Sequence, residues 1–274
     1  MIWMILIIII IVAAAVVLAT MFYDSRRFVI RKYRLFCKGL KREYRFVMLS
    51  DLHNKQFGEK NSRLLAAVDE LKPESILVAG DMLTSEPVCF REDDQENEKA
   101  AEHFVKPAQD FMCALGSKYP VYYANGNHEY RLKTQPEDYI GDYQAYKKEL
   151  TENGVIFLEN GSVKLPEIGV RIYGVEIERE FYKKMKKTKM DQDYLASLIG
   201  RPDPDSFHIL LAHNPDYFPR YAEWGADLVL SGHVHGGIMK LPLLGGVISP
   251  SLRLFPKYDG GLFEERNSRM ILGR

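Results

Sequence analysis

The segment "LVLSGHVHGG", residues 228–237, combines a strand pattern with two closely spaced histidines. An apolar run at 228–230 ends in Ser-Gly, and His233 and His235 then follow with one residue between them. In an extended chain, the side chains at positions i and i+2 point to the same side. The segment therefore predicts a strand that directs two imidazoles toward one target at its carboxyl end.

Four other apolar runs end in a similar cluster of polar residues. They predict strands at 44–50, 75–80, 120–126 and 208–213, followed by Asp51-Leu52-His53-Asn54, Gly80-Asp81, Gly126-Asn127-His128-Glu129 and His213-Asn214. In open α/β sheets, ligands bind just beyond the carboxyl ends of the strands. We therefore expect the five clusters to meet at one site.

Helical patterns between these strands indicate the fold class. Helices are predicted at 59–72, at 100–115 with an interruption at Pro107, and at 190–199. Strands that alternate with helices favour an α/β fold with a largely parallel sheet. The segment 155–177 predicts two or three antiparallel strands joined by tight turns, which indicates a second sheet or an antiparallel edge.

The N-terminal residues have the composition of a membrane anchor. Residues 1–23 carry no charged side chain, and about 20 apolar residues are enough to cross a bilayer as a helix. We expect a transmembrane anchor at 1–23, a basic juxtamembrane segment or first strand at 24–43, and a folded domain at 44–274. Because basic residues beside a span favour the cytoplasmic side, the expected location is the cell membrane, with one span and a cytoplasmic domain.

The overall composition argues against several classes of protein. The chain has 37 Lys plus Arg and 37 Asp plus Glu, so its formal net charge of zero gives no indication of a nucleic-acid partner. Its three cysteines include no C-x-x-C pair, which argues against a disulfide framework and a zinc knuckle. The acidic segment 91–98 is expected to be a solvated loop.

The five clusters together indicate a metal site, although each one alone is weak. A single histidine after a strand is more often a structural residue, and Gly-Asp is more often a turn. Together the clusters supply two carboxylates, an amide oxygen and four or five imidazoles, which would be costly to bury together without a cation. Mixed nitrogen and oxygen ligands suit Mn, Fe, Co or Zn better than calcium.

The order D-x-H, G-D, G-N-H-E, H and G-H-x-H resembles that of the calcineurin-like metallophosphoesterase superfamily. The match runs from Asp51 to His235, and the segment "LPLLGG…LFPKYDGGLF" after it resembles a membrane-anchored bacterial branch. Some relatives in that branch hydrolyse the pyrophosphate of UDP-2,3-diacylglucosamine. The resemblance implies a four-layer αββα sandwich of two mixed β-sheets flanked by helices. Relatives continue past the position of Arg274, so we expect either a truncated C-terminal edge or the lack of an edge strand.

The resemblance implies a role for each residue of the clusters. One divalent ion would be held by Asp51, His53 and His235, a second by Asn127, His213 and His233, and both by Asp81. His128 would protonate the leaving oxygen or stabilise charge on the phosphoryl group; a structural histidine is the alternative. Residues that orient these ligands, or are plain turn residues, would be Asn54, Glu129 and Asn214.

The activity implied by the resemblance is that of a membrane-anchored phosphoesterase. It would hydrolyse a phosphodiester or pyrophosphate bond by metal-activated hydroxide, with a membrane lipid or a nucleotide-linked lipid such as UDP-2,3-diacylglucosamine as its substrate. The apolar segment 236–261 would form a wall for acyl chains or would simply pack in the core. The alternative function is a non-catalytic scaffold that binds a protein partner at the membrane. Such a scaffold would be expected to lose metal ligands, and none is lost here.

Overall fold

The computed structural model describes residues 2–37, 39–88, 94–183, 187–234, 239–241, 245–248 and 256–273. Its helices are α1 (Ile2–Ser25), α2 (Ser62–Leu71), α3 (Asp94–Gly116), α4 (Asn127–Thr134), α5 (Tyr143–Glu152), α6 (Tyr194–Ile199) and α7 (Phe218–Trp224). Its strands are β1 (Phe46–Leu49), β2 (Ser75–Ala79), β3 (Glu86–Pro87), β4 (Val121–Ala124), β5 (Tyr139–Ile140), β6 (Val155–Phe157), β7 (Gly161–Leu165), β8 (Val170–Val175), β9 (Phe207–Ala212), β10 (Leu228–Ser231), β11 (Met239–Leu241), β12 (Gly245–Ile248), β13 (Gly261–Glu265) and β14 (Ser268–Leu272).

The strands form two main sheets in a mixed α/β fold. The first sheet has the order β1-β2-β4-β6, and all its neighbours are parallel. The second has the order β13-β14-β10-β9-β8-β7, with parallel strands in the centre and an antiparallel strand at each edge. The expectation of mixed sheets therefore holds for the second sheet, whereas the described strands of the first are parallel throughout.

The two sheets pack face to face, and helices cover their outer faces. Along β2, Ile76 and Val78 pack among side chains of α2, α3 and α5, whereas Leu77 and Ala79 pack against the second sheet. On the second sheet, Leu210 of β9 packs instead among side chains of α6 and α7. Side chains alternate between the two faces of a strand, so a strand covered on both faces is apolar throughout.

Two local predictions from the sequence are wrong, and a third holds in part. Helix α3 continues through Pro107 without a break. It begins at Asp94, so residues 94–98 of the predicted acidic loop are helical. In the segment 155–177, β7 and β8 form the expected antiparallel hairpin, but β6 pairs in parallel with β4 in the first sheet. Apolar alternation gives the face of a strand but not its neighbour, which long-range pairing decides.

The chain before β1 begins with α1, whose large apolar side chains include the exposed residues Trp3, Ile7 and Ile11. When only the described residues are considered, no helix meets the length and hydropathy required of a membrane span. The described residues after α1 and before β1 form no strand, but Leu35 and Leu40 pack against the core between the sheets. The anchor and the domain boundaries stay predictions.

Candidate metal centre

The carboxyl ends of five strands bring the predicted site residues together. In the first sheet these strands are β1, β2 and β4, and in the second they are β9 and β10, which are neighbours. Backbone hydrogen bonds continue past the strand ends, from Asp51 N–H to the Gly80 carbonyl at 3.0 Å and from Gly232 N–H to the His213 carbonyl at 3.0 Å. The predicted ligand His235 lies outside the described residues.

Two groups of potential metal ligands share Asp81. One group consists of His53, Asp81 and His128, and the other of Asp81, His213 and His233. Within each group, the ligand atoms lie within 4.8 Å of one another. Asp81 Oδ2 is 3.9 Å from Nε2 of His53, 3.9 Å from Nε2 of His128 and 2.9 Å from Nε2 of His213. The Asp81 carboxylate, only 1% exposed, therefore lies between the two groups.

Asp51 belongs to neither group but lies beside both. Its Oδ1 is 3.8 Å from Nε2 of His53 and 3.8 Å from Nε2 of His213. The same oxygen accepts a hydrogen bond from the backbone N–H of His233 at 2.8 Å. Two nearly buried carboxylates thus lie among four imidazoles, a donor set of mixed nitrogen and oxygen that suits transition metals.

The hydrogen bonds of His213 direct a ring nitrogen lone pair toward Asp81. Its Nδ1 lies 2.6 Å from the Ala79 carbonyl oxygen, which accepts only, so Nδ1 carries the proton. In the neutral ring, Nε2 is then an acceptor that faces another acceptor, Asp81 Oδ2, at 2.9 Å. Burial lowers the pKa of His213, but the Asp81 carboxylate outweighs burial and raises the pKa to about 10. A proton or a cation is needed between these two atoms.

Asn127 supplies a second indication that a cation fits. Its side-chain Oδ1 is buried and has no hydrogen-bond partner within the described part of the chain. Its two neighbours both approach Asp81, because His128 N–H donates to Asp81 Oδ1 at 2.9 Å and a Cβ at Gly126 would collide with the same carboxylate. An unpaired buried carbonyl oxygen is costly in a metal-free site. The residues present therefore fit divalent metal ions.

His128 differs from His213 in its tautomer. The backbone N–H of Ser85 donates to His128 Nδ1 at 2.8 Å, and Ser85 Oγ lies 2.8 Å from the same atom. Because Nδ1 accepts, the proton of the neutral ring lies on Nε2, which faces Asp81. A protonated Nε2 is a hydrogen-bond donor and not a metal ligand. Burial lowers the pKa of His128 to about 4. The geometry thus favours His128 as a neutral donor.

The backbone around the centre adopts a sparsely populated conformation. Five non-glycine residues of the strand-end clusters have left-handed φ angles between 50° and 74°: Asp51, His53, Asn54, Asp81 and His233. Asn, Asp and His tolerate this region better than most residues, but each such residue still costs about 1–3 kcal/mol. Such strain persists where the surrounding structure holds it in place, and functional sites are typical locations.

Glu129 connects two of the strand-end loops. Its buried carboxylate accepts hydrogen bonds from the backbone N–H groups of Asp81 at 2.9 Å, Met82 at 2.8 Å, Leu83 at 3.1 Å and Gly126 at 2.9 Å. The Tyr123 hydroxyl donates to it as well, at 2.8 Å. The structure therefore places Glu129 behind Asp81, where it holds the loop that carries this potential ligand.

The other two predicted orienting residues differ from each other. The two polar side-chain atoms of Asn54 are buried, and neither has a hydrogen-bond partner within the described residues. The Asn214 side chain closes a turn instead, because its Oδ1 accepts from Asp216 N–H at 3.0 Å and its Nδ2 donates to the Phe181 carbonyl at 3.0 Å. Sequence reasoning also missed Ser85, which acts largely through its backbone N–H and therefore leaves no signal in residue type.

Comparisons with known proteins agree with this geometry. The family profile described as calcineurin-like phosphoesterase matches residues 44–237. The chain is 25% identical over 74% of its length to the uncharacterized metallophosphoesterase YkoQ of Bacillus subtilis, of which it covers 64%. It is 26% identical over 81% of its length to the phosphodiesterase YaeI of Escherichia coli, of which it covers 72%.

A third relative is named for a lipid-linked substrate. The UDP-2,3-diacylglucosamine pyrophosphatase LpxG of Chlamydia muridarum is 24% identical over 72% of this chain, which covers 65% of that protein. The chain thus spans less than two thirds of the length of LpxG and of YkoQ. Because the family profile spans most of the chain, the chain belongs to the calcineurin-like phosphoesterase family.

Proposed function

We propose that this chain is a membrane-anchored phosphoesterase that uses two divalent metal ions to hydrolyse a phosphodiester or pyrophosphate bond of a lipid-linked substrate. The observation that carries the proposal is the sharing of Asp81 by two ligand groups. Apart from the donor His128, one group holds His53, whose Nε2 also lies 3.8 Å from Asp51, and the other holds His213 and His233. A single carboxylate thus has a potential cation on each side. Two-metal sites of this kind are typical of phosphatases.

The charge of the centre suits a phosphoryl group. Bound divalent ions would lower the pKa of water from ~15.7 toward ~7 and attract the phosphoryl oxygens. Asp51 and Asp81 contribute two negative charges, and Asn127 contributes a neutral oxygen in place of a third carboxylate. The site therefore keeps a net positive charge when two cations are bound, and an anionic substrate is attracted to it.

His128 would donate a hydrogen bond to the substrate. Its Nε2–H faces the centre because Ser85 occupies Nδ1. A neutral imidazole in this tautomer donates a hydrogen bond to a phosphoryl oxygen or to the leaving oxygen as negative charge develops there. We therefore assign His128 the role of stabilising charge and not of transferring a proton. Its pKa of about 4 leaves little imidazolium at neutral pH.

Membrane attachment through α1 is part of the same proposal. Helix α1 has 24 residues, and several of its large apolar side chains are more than half exposed. The basic residues that follow, including Arg26, Arg27 and Arg31, favour a cytoplasmic domain. The name of the LpxG relative supports a lipid-linked substrate at the membrane.

The test is metal-dependent hydrolysis of bis(p-nitrophenyl) phosphate by the detergent-solubilised full chain. We expect turnover with Mn²⁺, loss of turnover after chelation, and recovery when metal returns. His128→Gln should lower kcat by roughly 100-fold and leave the bound metal unchanged. Turnover that persists without metal would contradict the proposal, as would a His128→Gln variant as active as the wild type.

A further inference from the structure

Arg131 is a half-buried cation next to the candidate metal centre. It lies on α4, three residues after His128, so the two side chains share a helix face. Its Nη1 donates to Ser85 Oγ at 3.3 Å. Within the part of the chain that the structure describes, the Arg131 side chain makes this one hydrogen bond. No carboxylate of the described residues lies within ion-pair distance of the guanidinium.

The next basic residue of α4 has a different environment. Lys133 Nζ lies 2.7 Å from Glu176 Oε2 and 3.3 Å from Glu159 Oε1, so its charge is balanced by two carboxylates. The Arg131 guanidinium has five N–H donors, but among the described residues it bonds to one neutral hydroxyl. A half-buried charge without an opposite charge is costly. Arginine in such a position is typical of sites that bind phosphate or carboxylate.

Ser85 determines where Arg131 lies relative to the reaction. Ser85 Oγ is 2.8 Å from His128 Nδ1 and 3.3 Å from Arg131 Nη1, so it connects the two side chains. His128 Nε2 in turn lies 3.9 Å from Asp81 Oδ2. The guanidinium is therefore on the His128 side of the centre, next to the Nδ1 edge of the ring, whereas the Nε2 edge faces Asp81.

We propose that Arg131 binds a second phosphate group, carried by the leaving part of the substrate, and so selects phosphate anhydrides over simple phosphodiesters. This inference rests on the proposed function. In the hydrolysis, the water oxygen forms a bond to one phosphorus, and the bond from that phosphorus to the bridging oxygen breaks. The bridging oxygen keeps the electron pair and leaves on the second phosphate. The two products are phosphate monoesters, which share or release the two protons of the water.

The test measures binding, so that it does not depend on the identity of the natural substrate. The probes are methylenediphosphonate, which carries two phosphonate groups and cannot be hydrolysed, and methylphosphonate, which carries one. Calorimetry on the Mn²⁺-loaded full chain should show tighter binding of the diphosphonate. Arg131→Gln should reduce this preference by roughly 10- to 100-fold, the usual range for a hydrogen bond to a charged group. Affinity for methylphosphonate and the metal content should not change.

The matched control is Arg179→Gln. Arg179 is also an arginine bonded to a neutral side chain, since it donates to Gln135 Oε1 at 2.6 Å, but it is exposed. This variant should keep the full preference. Equal preference in the wild type and Arg131→Gln would overturn the inference, as would an equal loss of affinity for both probes.

Two further outcomes are decisive. If Arg131→Gln does not fold, Arg131→Lys is measured in its place. Lysine carries a point charge without the planar fork of arginine, so the preference for the diphosphonate should fall by at least about threefold. An unchanged preference would overturn the inference. A wild-type chain that shows no metal-dependent hydrolysis of either bis(p-nitrophenyl) phosphate or the phosphate anhydride UDP-glucose would overturn the proposed function and this inference together. Normal hydrolysis with no effect of Arg131→Gln on binding would overturn the inference alone.

Discussion

Two polar clusters at the strand ends differ in the groups that balance their buried carboxylates. The metal-centre cluster contains Asp51, His53, Asp81, Asn127, His213 and His233. The ion-paired cluster contains Asn125, Lys133, Tyr143, Lys147, Glu159 and Glu176. In the ion-paired cluster, Lys133 bonds to Glu176 and Glu159, and Lys147 bonds to Glu159. In the metal-centre cluster, Asp81 is within 4 Å of three imidazoles and, among the described residues, of no lysine or arginine.

The difference shows which cluster needs a cation from outside the chain. Glu159 lies between β6 of the first sheet and β7 of the second, Glu176 follows β8, and the lysines balance their charge within the fold. Burial raises the pKa of Glu159, but Lys147 and Tyr143 outweigh burial and lower it. The metal-centre cluster has buried acceptors in place of such donors, including Asn127 Oδ1. Its positive charge must come from protons or from bound metal.

The largest effect should follow from Asp81→Asn, which removes the charge that the two ligand groups share. We expect metal-dependent hydrolysis to fall by at least roughly 10²- to 10³-fold, with loss of bound metal. The assay is turnover of bis(p-nitrophenyl) phosphate together with metal analysis of the purified protein. Glu159→Gln, in the ion-paired cluster, should keep turnover within about threefold. Wild-type turnover in Asp81→Asn would show that the metal-centre cluster does not need the charge of Asp81.

The next effect concerns Glu129, which supports the metal-centre cluster from behind. In Glu129→Gln, one acceptor oxygen becomes an amide NH₂, which cannot accept a hydrogen bond from a backbone N–H. The loop that carries Asp81 should therefore lose some of its hydrogen bonds. We expect the apparent affinity for Mn²⁺ to fall by roughly 10- to 100-fold, while kcat at saturating metal changes less. The measurement is activity against Mn²⁺ concentration, with the exposed Glu137→Gln as control. Unchanged metal affinity would show that Glu129 has no such role.

In the ion-paired cluster, Lys133→Met should affect stability more than turnover. It leaves Glu176, which is 9% exposed, without its lysine. The free energy of unfolding should fall by about 1–3 kcal/mol, measured by urea denaturation, while turnover of metal-loaded protein stays within about threefold. Lys148→Met is the control, because its ion pair with Glu152 is exposed and 4.0 Å long. If Lys133→Met lowers turnover without lowering stability, Lys133 belongs functionally to the catalytic site and not to a stabilising ion-paired cluster.

The smallest effect is a pH dependence of the metal-centre cluster after chelation. The folded pKa of His213 is raised from 6.5 to about 10, so its stabilising contribution is fully present below about pH 6.5. That contribution is lost as the pH rises through about 10, by at most ~1.4 kcal/mol per pH unit. Urea denaturation in EDTA should therefore show lower stability at pH 9 than at pH 7. With Mn²⁺ the loss should be smaller, because the cation replaces the proton on Nε2.

The control for this pH dependence is His213→Gln. The variant has no imidazole to titrate, so its stability in EDTA should change less between pH 7 and pH 9 than that of the wild type. An equal slope in both proteins would mean that other groups produce the pH dependence.

Much of the metal centre could be predicted from the sequence. Asp51, His53, Asp81 and Asn127 each follow an apolar run, and a parallel strand order brings their side chains to one edge. The tautomer of His128 could not be predicted, since it depends on the backbone N–H of Ser85. The ion-paired cluster was also missed, because Glu159 and Glu176 lie in the segment 155–177, where the local pattern predicts strands and turns but not which side chains meet.

The sequence by itself determined the alternation of strands and helices and the residue types at each strand end. These follow from local periodicity, which depends only on residues close together in the chain. The tertiary structure alone decided which of these residues meet. The hydrogen bond from His233 N–H to Asp51 joins residues 182 positions apart, and that from His213 to Ala79 joins residues 134 apart. Such contacts depend on the order of strands and the packing of two sheets, which no local pattern specifies.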